Sequence, residues 1–444
     1  MTEQDPHVAR GLEAVHFAAS RRRFLKRLGL GLGAVAFEAA GGTLLRATLG
    51  ERIGAPQTAA AAEARRLAAV GKRAGLPAVI GVERLAPAPM PARKPQPGQP
   101  ASFRPELRQR IAQMLLVGFR GTSVDASSPI VADIAQRSLG GVVLFDGRNI
   151  TSPTQLANLT ATLQSASQAS TVAAKLIVAA DEEGGNVARL NPRNGFPGTY
   201  SAATLGARND AAFTQAQGTA IAQTLASVGV NLNLAPVVDL NLNRANRAIG
   251  GNGRSFSGDA NIAAAQAAAF ITGHHAVGVR TVLKHFPGQG SAGGDTHVGF
   301  VDVTPNWTDY ELQPFVSLMG QGLVDAIMTG HIFNARLDPV YPATLSYATI
   351  TGLLREQLSY GGVVVSDDLN MAAIRLRYRY EDVLALAIGA GVDLLTIAEP
   401  SSTDLVTRTI DIIEAHVANG ALTEARIDAS YDRIVALKSL LPGG

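Results

Sequence analysis

Short runs of apolar, β-type residues recur along the chain from residue 105 onward. They are MLLVGF (114–119), GVVLF (141–145), LIVAA (176–180), NLNLA (231–235), TVLKHF (281–286), AIMTG (326–330), VVVS (363–366) and DLLTI (393–397). Between them, apolar residues return with a helical period, as at 154–168, 209–227, 260–277, 346–358, 381–390 and 402–418. Runs that are apolar throughout suit parallel strands buried on both faces, and strand-then-helix alternation is what a parallel sheet requires. The eight units predict an α/β fold, a (β/α)8 TIM barrel forming a single catalytic domain over 105–444, with the helices from 402 to 440 as the last of its outer ring. An open doubly wound sheet is the alternative. No G-x-G-x-x-G or P-loop follows the first run, which weakens it.

Polar residues keep the same rhythm. Asp181 follows the third run, Asp239 the fourth, Lys284 and His285 end the fifth, His331 follows the sixth, and Asp367 and Asp368 follow the seventh. In a barrel these positions face the one rim that carries active sites. Any one of them alone reads as a solvated loop residue, whereas five consecutive strands ending this way mark a site. The fifth run continues as KHFPGQGSAGGDTH (284–297), a glycine-rich loop that closes on Asp295 and His297. The loop between His285 and Asp295 is expected to let the Asp-x-His pair swing over a bound substrate that Lys284 and His285 hold.

The first 104 residues follow no such pattern. SRRRFLK (20–26) precedes the weakly apolar LGLGLGAVAF and resembles a twin-arginine export signal, placed within residues 1–50. That apolar stretch is too short for a stable membrane span. LAPAPMPARKPQPGQP (85–100) cannot build a core, so 51–104 reads as an Ala/Pro-rich linker. The expected location is the periplasm, the cell envelope or the exterior.

Charge is just as uneven. The pI is 9.2, yet residues 1–104 hold 16 Lys+Arg against 7 Asp+Glu (net +9), and residues 105–444 hold 23 against 29 (net −6). The basic character belongs to the leader, which removes the main support for nucleic-acid binding. The absence of cysteine excludes disulfides, thiolate metal sites, a cysteine nucleophile and a lipidated N-terminal cysteine.

Three chemistries fit such a rim: a Schiff-base aldolase on Lys284, metal-assisted hydrolysis using His285, His297 and His331, or glycoside cleavage. The histidine spacing matches neither H-E-x-x-H nor H-x-H, so no metal is assigned. Glycoside cleavage needs a carboxylate on one side of the sugar and a proton donor on the other.

The third chemistry accounts for more of the sequence. DEEGGNVARL (181–190), GVNLNLAPVVDLN (229–241), IGGNGRSF (249–256), KHFPGQG with DTH (284–297), IMTGHI (327–332), ATLS (343–346) and GVVVSDDLNM (362–371) occur in that order. Together they resemble glycoside hydrolase family 3, in its single-domain β-N-acetylglucosaminidase branch. The resemblance implies a retaining exo-acting enzyme that needs no cofactor and takes a carbohydrate substrate, with Asp367 as nucleophile and Asp295–His297 as acid/base. It places Asp181, Arg189, Arg254, Lys284 and His285 around the terminal sugar. Asp368, Glu183 and Asp239 read as structural, Asp239 as a turn cap, and His331 as a packed strand-end histidine. Gln289 departs from the histidine many relatives carry there; lying outside the dyad, it is expected to affect the loop little. A phosphorylase using the same nucleophile, a β-glucosidase and a non-catalytic glycan-binding protein remain alternatives, and the oligomeric state is left open.

Overall fold

The computed structural model describes residues 105–172, 174–399 and 402–442; the predicted export signal and linker lie outside them. Each predicted run forms a barrel strand: β1 (Leu115–Gly118), β2 (Gly141–Leu144), β3 (Ile177–Ala180), β4 (Leu232–Asn233), β5 (Arg280–Phe286), β6 (Ala326–Thr329), β7 (Val363–Ser366) and β8 (Leu395–Ile397). All neighbours are parallel, in the order β7-β6-β5-β4-β3-β2-β1-β8. A bridge from Val365 to Leu394 joins the two ends and closes the barrel. Every residue of β1, β2, β3, β6 and β7 is buried, because side chains fill the interior and helices cover the outside.

Two strands depart from the simple pattern, and both departures shape the rim. β4 is shorter than the predicted 231–235. Pro236 has no N–H to give the ladder, and pairing beyond Asn233 survives as N–H groups of Val282 and Lys284 donating to the carbonyls of Ala235 and Pro236. In β5, Leu283 pairs with Ile327 but Phe286 with Thr329, so one extra residue is inserted. Consecutive strand residues normally point to opposite faces; this bulge lets both Lys284 and His285 line the cavity above the barrel.

The helical segment predicted at 209–227 forms the helix Ala211–Ser227, and a further helix that periodicity did not single out, Ala202–Arg208, precedes it. Ala202–Arg208 ends at Asn209 in the left-handed conformation, and Ala211–Ser227 begins at Asp210, whose carboxylate accepts the Phe213 N–H at 3.0 Å. The 346–358 pattern forms the π-helix Ala348–Gln357. Helices Pro129–Arg137 and Gln313–Gly320, which periodicity did not single out, follow β1 and β5. At the end of the barrel opposite the rim, the buried Asp393 binds Arg355 (2.6 Å), Arg426 (3.0 Å), Arg433 (3.1 Å) and Ser430 (2.9 Å). That network ties the last helix, Glu424–Ser439, to β8. No helix among the described residues is long and apolar enough to cross a membrane.

Candidate active site

Asp181 and Glu183 leave β3 on a short strand (Glu182–Gly184), where alternation turns both toward the cavity and Glu182 away from it. The Lys284 ammonium donates to Asp181 Oδ1 and contacts Glu183 Oε1, each at 2.7 Å. Arg254 reaches Glu183 through two N–H groups at 2.7 and 2.8 Å and donates a third to the Ala248 carbonyl. Arg189 donates to Asp181 at 3.3 Å. Burial alone would push the Asp181 carboxyl up, but Lys284, Arg189 and Arg254 outweigh it and hold the group well below the usual carboxylate range. For Glu183 the same opposition of burial to Arg254 and Lys284 ends at about 2. Burial works to lower the Lys284 ammonium, yet Asp181 and Glu183 raise it. A lysine kept protonated in this way is a poor amine nucleophile, which removes the aldolase reading.

His285 is held just as firmly. Its Nδ1 lies 2.6 Å from Asp239 Oδ2 and its backbone N–H points at the same carboxylate. Asp239 also accepts the Gln289 N–H at 2.8 Å. The expectation of a simple turn cap is therefore corrected: this buried carboxylate orients a cavity-lining imidazole and anchors the loop that follows.

Asp367 and Asp368 follow β7 but have different surroundings. Burial raises Asp367, while the imidazoles of His331 and His285 and the Asp368 N–H more than offset it, leaving the carboxyl below its ordinary value. Burial wins at Asp368, whose carboxylate accepts the N–H groups of Asn370 (3.1 Å) and Ala398 (3.0 Å). Of the two aspartates at the cavity the first is thus the more acidic, and the second ties the segment after β7 to the one after β8. His331 is packed, with Nδ1 2.7 Å from the Thr344 hydroxyl and Nε2 2.9 Å from the Asp368 carbonyl.

Asp295 and His297 stand on the loop after β5. His297 Nδ1 is 2.7 Å from Asp295 Oδ1, which leaves Nε2 as the nitrogen able to exchange protons with a ligand. Burial raises the Asp295 carboxyl, and hydrogen bonds from the His297 backbone and ring more than reverse that. The His297 side chain is 63% exposed and that of Asp295 35%.

The loop itself differs from expectation. Gly288 to Ala292 are buried, and their glycines serve close packing rather than mobility. A Cβ on Gly290 would lie 1.8 Å from the Leu240 carbonyl oxygen, and Gly288 has φ +115° and abuts Glu311. The unhindered part is Gly293 and its successors, so any swing is confined to about that stretch. Gln289, expected to stand apart from the dyad, donates its side-chain amide to the hydroxyl of Thr296, the residue between Asp295 and His297.

All eight residues predicted for the site line one cavity of about 380 Å³: Asp181, Arg189, Arg254, Lys284, His285, Asp295, His297 and Asp367. Sequence reasoning missed Phe145 and Arg148, which line the same cavity, although Phe145 ends the second run, DGRN (146–149) directly follows it, and the strand-end rule would have found them. It also missed Arg247, which lines the cavity and has no carboxylate partner among the described residues. Among the described residues no three His, Asp or Glu side chains converge as metal ligands would.

An ionised carboxylate and a histidine that can carry a proton, set in a cavity walled by fixed hydrogen-bond donors, are the parts of a barrel glycoside hydrolase. The family follows from known proteins. The family model described as glycosyl hydrolase family 3 N terminal domain matches residues 106–437, and the chain belongs to that family. A β-hexosaminidase of Xylella fastidiosa (strain 9a5c) is 36% identical over 317 residues, covering 69% of this chain and 89% of that protein. β-Hexosaminidase A of Pseudoalteromonas piscicida is 33% identical over 333 residues, which is 70% of this chain but 54% of that longer relative, so the chain spans about half of it. Among solved structures, a family 3 β-N-acetylglucosaminidase from Paenibacillus sp. str. FPU-7 superposes with a TM-score of 0.71 at 35% identity, over 76% of this chain and 63% of that one. A β-N-acetylhexosaminidase from Beutenbergia cavernae DSM 12333 gives 0.69 at 32% identity, over 76% and 99%.

Proposed function

We propose that the chain is an exported, retaining exo-β-N-acetylglucosaminidase acting on glycans that end in β-linked N-acetylglucosamine, such as muropeptides or chitin oligosaccharides. The observation that carries this reading is the pairing, in one cavity, of the ionised Asp367 with a His297 whose Nδ1 is taken up by Asp295. The β-hexosaminidase and β-N-acetylglucosaminidase relatives support the choice of sugar. The twin-arginine-like leader supports export.

In the first step an Asp367 oxygen attacks the anomeric carbon. The bond to the leaving oxygen breaks as His297 Nε2 gives that oxygen its proton, and a glycosyl ester on Asp367 results. In the second step the neutral imidazole takes a proton from water, whose oxygen attacks the same carbon and releases Asp367. Asp295 holds the imidazole by Nδ1, so that Nε2 meets the leaving oxygen in the first step and the water in the second. Lys284, Asp181, Arg189 and Arg254 hold the ring's hydroxyls and acetamido group for in-line attack.

The test uses purified protein with aryl β-N-acetylglucosaminide and aryl β-glucoside, each with and without phosphate. Expected are free N-acetylglucosamine from the first substrate only and a loss of about 10⁴-fold or more in Asp367→Ala. Sugar-1-phosphate as product would make the protein a phosphorylase, preferential turnover of the glucoside a β-glucosidase, and no turnover a glycan-binding protein.

A further inference from the structure

Asp295 and His297 are solvent-facing, yet the residue between them is not. Thr296 is 1% exposed. Its hydroxyl accepts the side-chain amide of Gln289 at 3.3 Å, and its carbonyl accepts the Ala373 N–H at 3.2 Å. Other hydrogen bonds within the segment are local: His297 N–H to the Asp295 carboxylate, and the Val298 and Gly299 N–H groups to the Asp295 carbonyl.

Gln289 is a fixed post. It is 2% exposed, its N–H is given to Asp239 at 2.8 Å, and its carbonyl accepts the Asn246 side chain at 2.8 Å. The next two amides, of Gly290 and Ser291, both donate to Glu311 at 2.8 and 3.2 Å. Asp239 is also the carboxylate that orients His285. Between post and dyad lie Gly293 and Gly294, the first with nothing within 4 Å of a Cβ and the second near only Val301.

We propose that the buried Gln289–Thr296 hydrogen bond is a latch that positions the Asp295–His297 dyad at the cavity, making Gln289 and Thr296 positioning residues for proton transfer. The inference rests on the acid/base role proposed for His297. Through Asp239 the latch shares its anchor with His285, so the part that holds the sugar and the part that protonates the leaving group are set from one carboxylate. Removing one buried neutral hydrogen bond shifts a docked–undocked equilibrium by about three- to tenfold.

The experiment measures kcat and KM of the full chain and of Thr296→Val, Thr296→Ser and Gln289→Leu. One substrate is an N-acetylglucosaminide with an activated nitrophenyl leaving group, the other has an alkyl leaving group that needs protonation. Expected is a fall in kcat of about three- to tenfold on the alkyl substrate in Thr296→Val and Gln289→Leu. The nitrophenyl substrate should stay within about twofold, with inhibition by free N-acetylglucosamine unchanged and recovery in Thr296→Ser. Amide exchange at 295–299, but not at 181–190, should speed up in Thr296→Val. Equal losses on both substrates, no loss, or a Thr296→Ser variant as impaired as Thr296→Val would overturn the latch. A wild-type protein active on the nitrophenyl sugar but showing those patterns sinks the latch alone, whereas an inactive wild type sinks the functional reading with it.

Discussion

The cavity has two walls built on opposite plans. Around β3 and β5, Asp181, Glu183, Lys284 and Arg254 form a cross-braced cluster on strand ends, with Lys284 2% exposed and each carboxylate touching two cations. On the loop after β5, Asp295 and His297 pair with each other and, among the described residues, with no other charged side chain, and they face solvent. Groups that hold a sugar gain from being rigid before it arrives, because no ordering cost is then charged to binding. A group that must meet a departing oxygen and later a water needs access, and a short tripeptide anchored at its centre supplies it. The difference also predicts how each wall fails: the first through stability and binding together, the second through chemistry alone.

The largest break comes from Lys284→Ala, which leaves Asp181 and Glu183 as neighbouring buried carboxylates without their shared cation. We expect loss of measurable turnover and about 3–5 kcal/mol of stability, read by urea unfolding at neutral pH. Both carboxyls lie below their unfolded values in the native protein, so the stability they contribute is complete above about pH 4.5 and is lost as pH falls toward 2. In the variant that acid-side slope should shrink, and an unchanged slope would show that the cluster does not act as an ionic unit.

His297→Ala should leave the unfolding curve within about 0.5 kcal/mol, as expected of an exposed group. Its turnover of poor leaving groups should drop by about 10²–10⁴-fold, with a much smaller loss on nitrophenyl sugars. A stability loss comparable to that of Lys284→Ala would erase the contrast between the walls.

The smallest effect on activity is expected at Glu182, between the two cluster carboxylates but facing the barrel wall. Its Oε2 accepts the Leu190 N–H at 2.8 Å while Oε1 has no hydrogen-bond partner among the described residues, and burial pushes its carboxyl up to about 8. The native state therefore binds a proton that the unfolded chain has released, and stability falls as pH rises from about 4.5 to 8. Glu182→Gln should remove that fall, gaining roughly 2–4 kcal/mol at pH 8 with kcat nearly unchanged. Parallel unfolding curves for the two proteins at pH 5 and pH 8 would contradict it.

Much of this was legible in the chain. Parallel strands buried on both faces must be apolar, so the eight runs stand out, and polar residues just past strand ends converge on one rim in any closed barrel. That is why Asp181, Lys284, His285 and Asp367, far apart in sequence, could be placed together. The bulge that brings Lys284 and His285 to the same side was not legible, since nothing local distinguishes TVLKHF from a regular strand. Nor was the role of Glu183 as the seat of Arg254, 71 residues away, or the reach of Asp239 to His285 and Gln289.

The sequence by itself determined the barrel, its rim and the chemical types gathered there, because period, strand order and strand-end position are properties of the backbone pattern. Tertiary structure alone decided which of two adjacent aspartates is the more acidic, which half of a glycine-rich loop is anchored, and how the dyad is held. Those outcomes depend on desolvation and on hydrogen bonds between segments distant in sequence, and neither exists until the barrel closes.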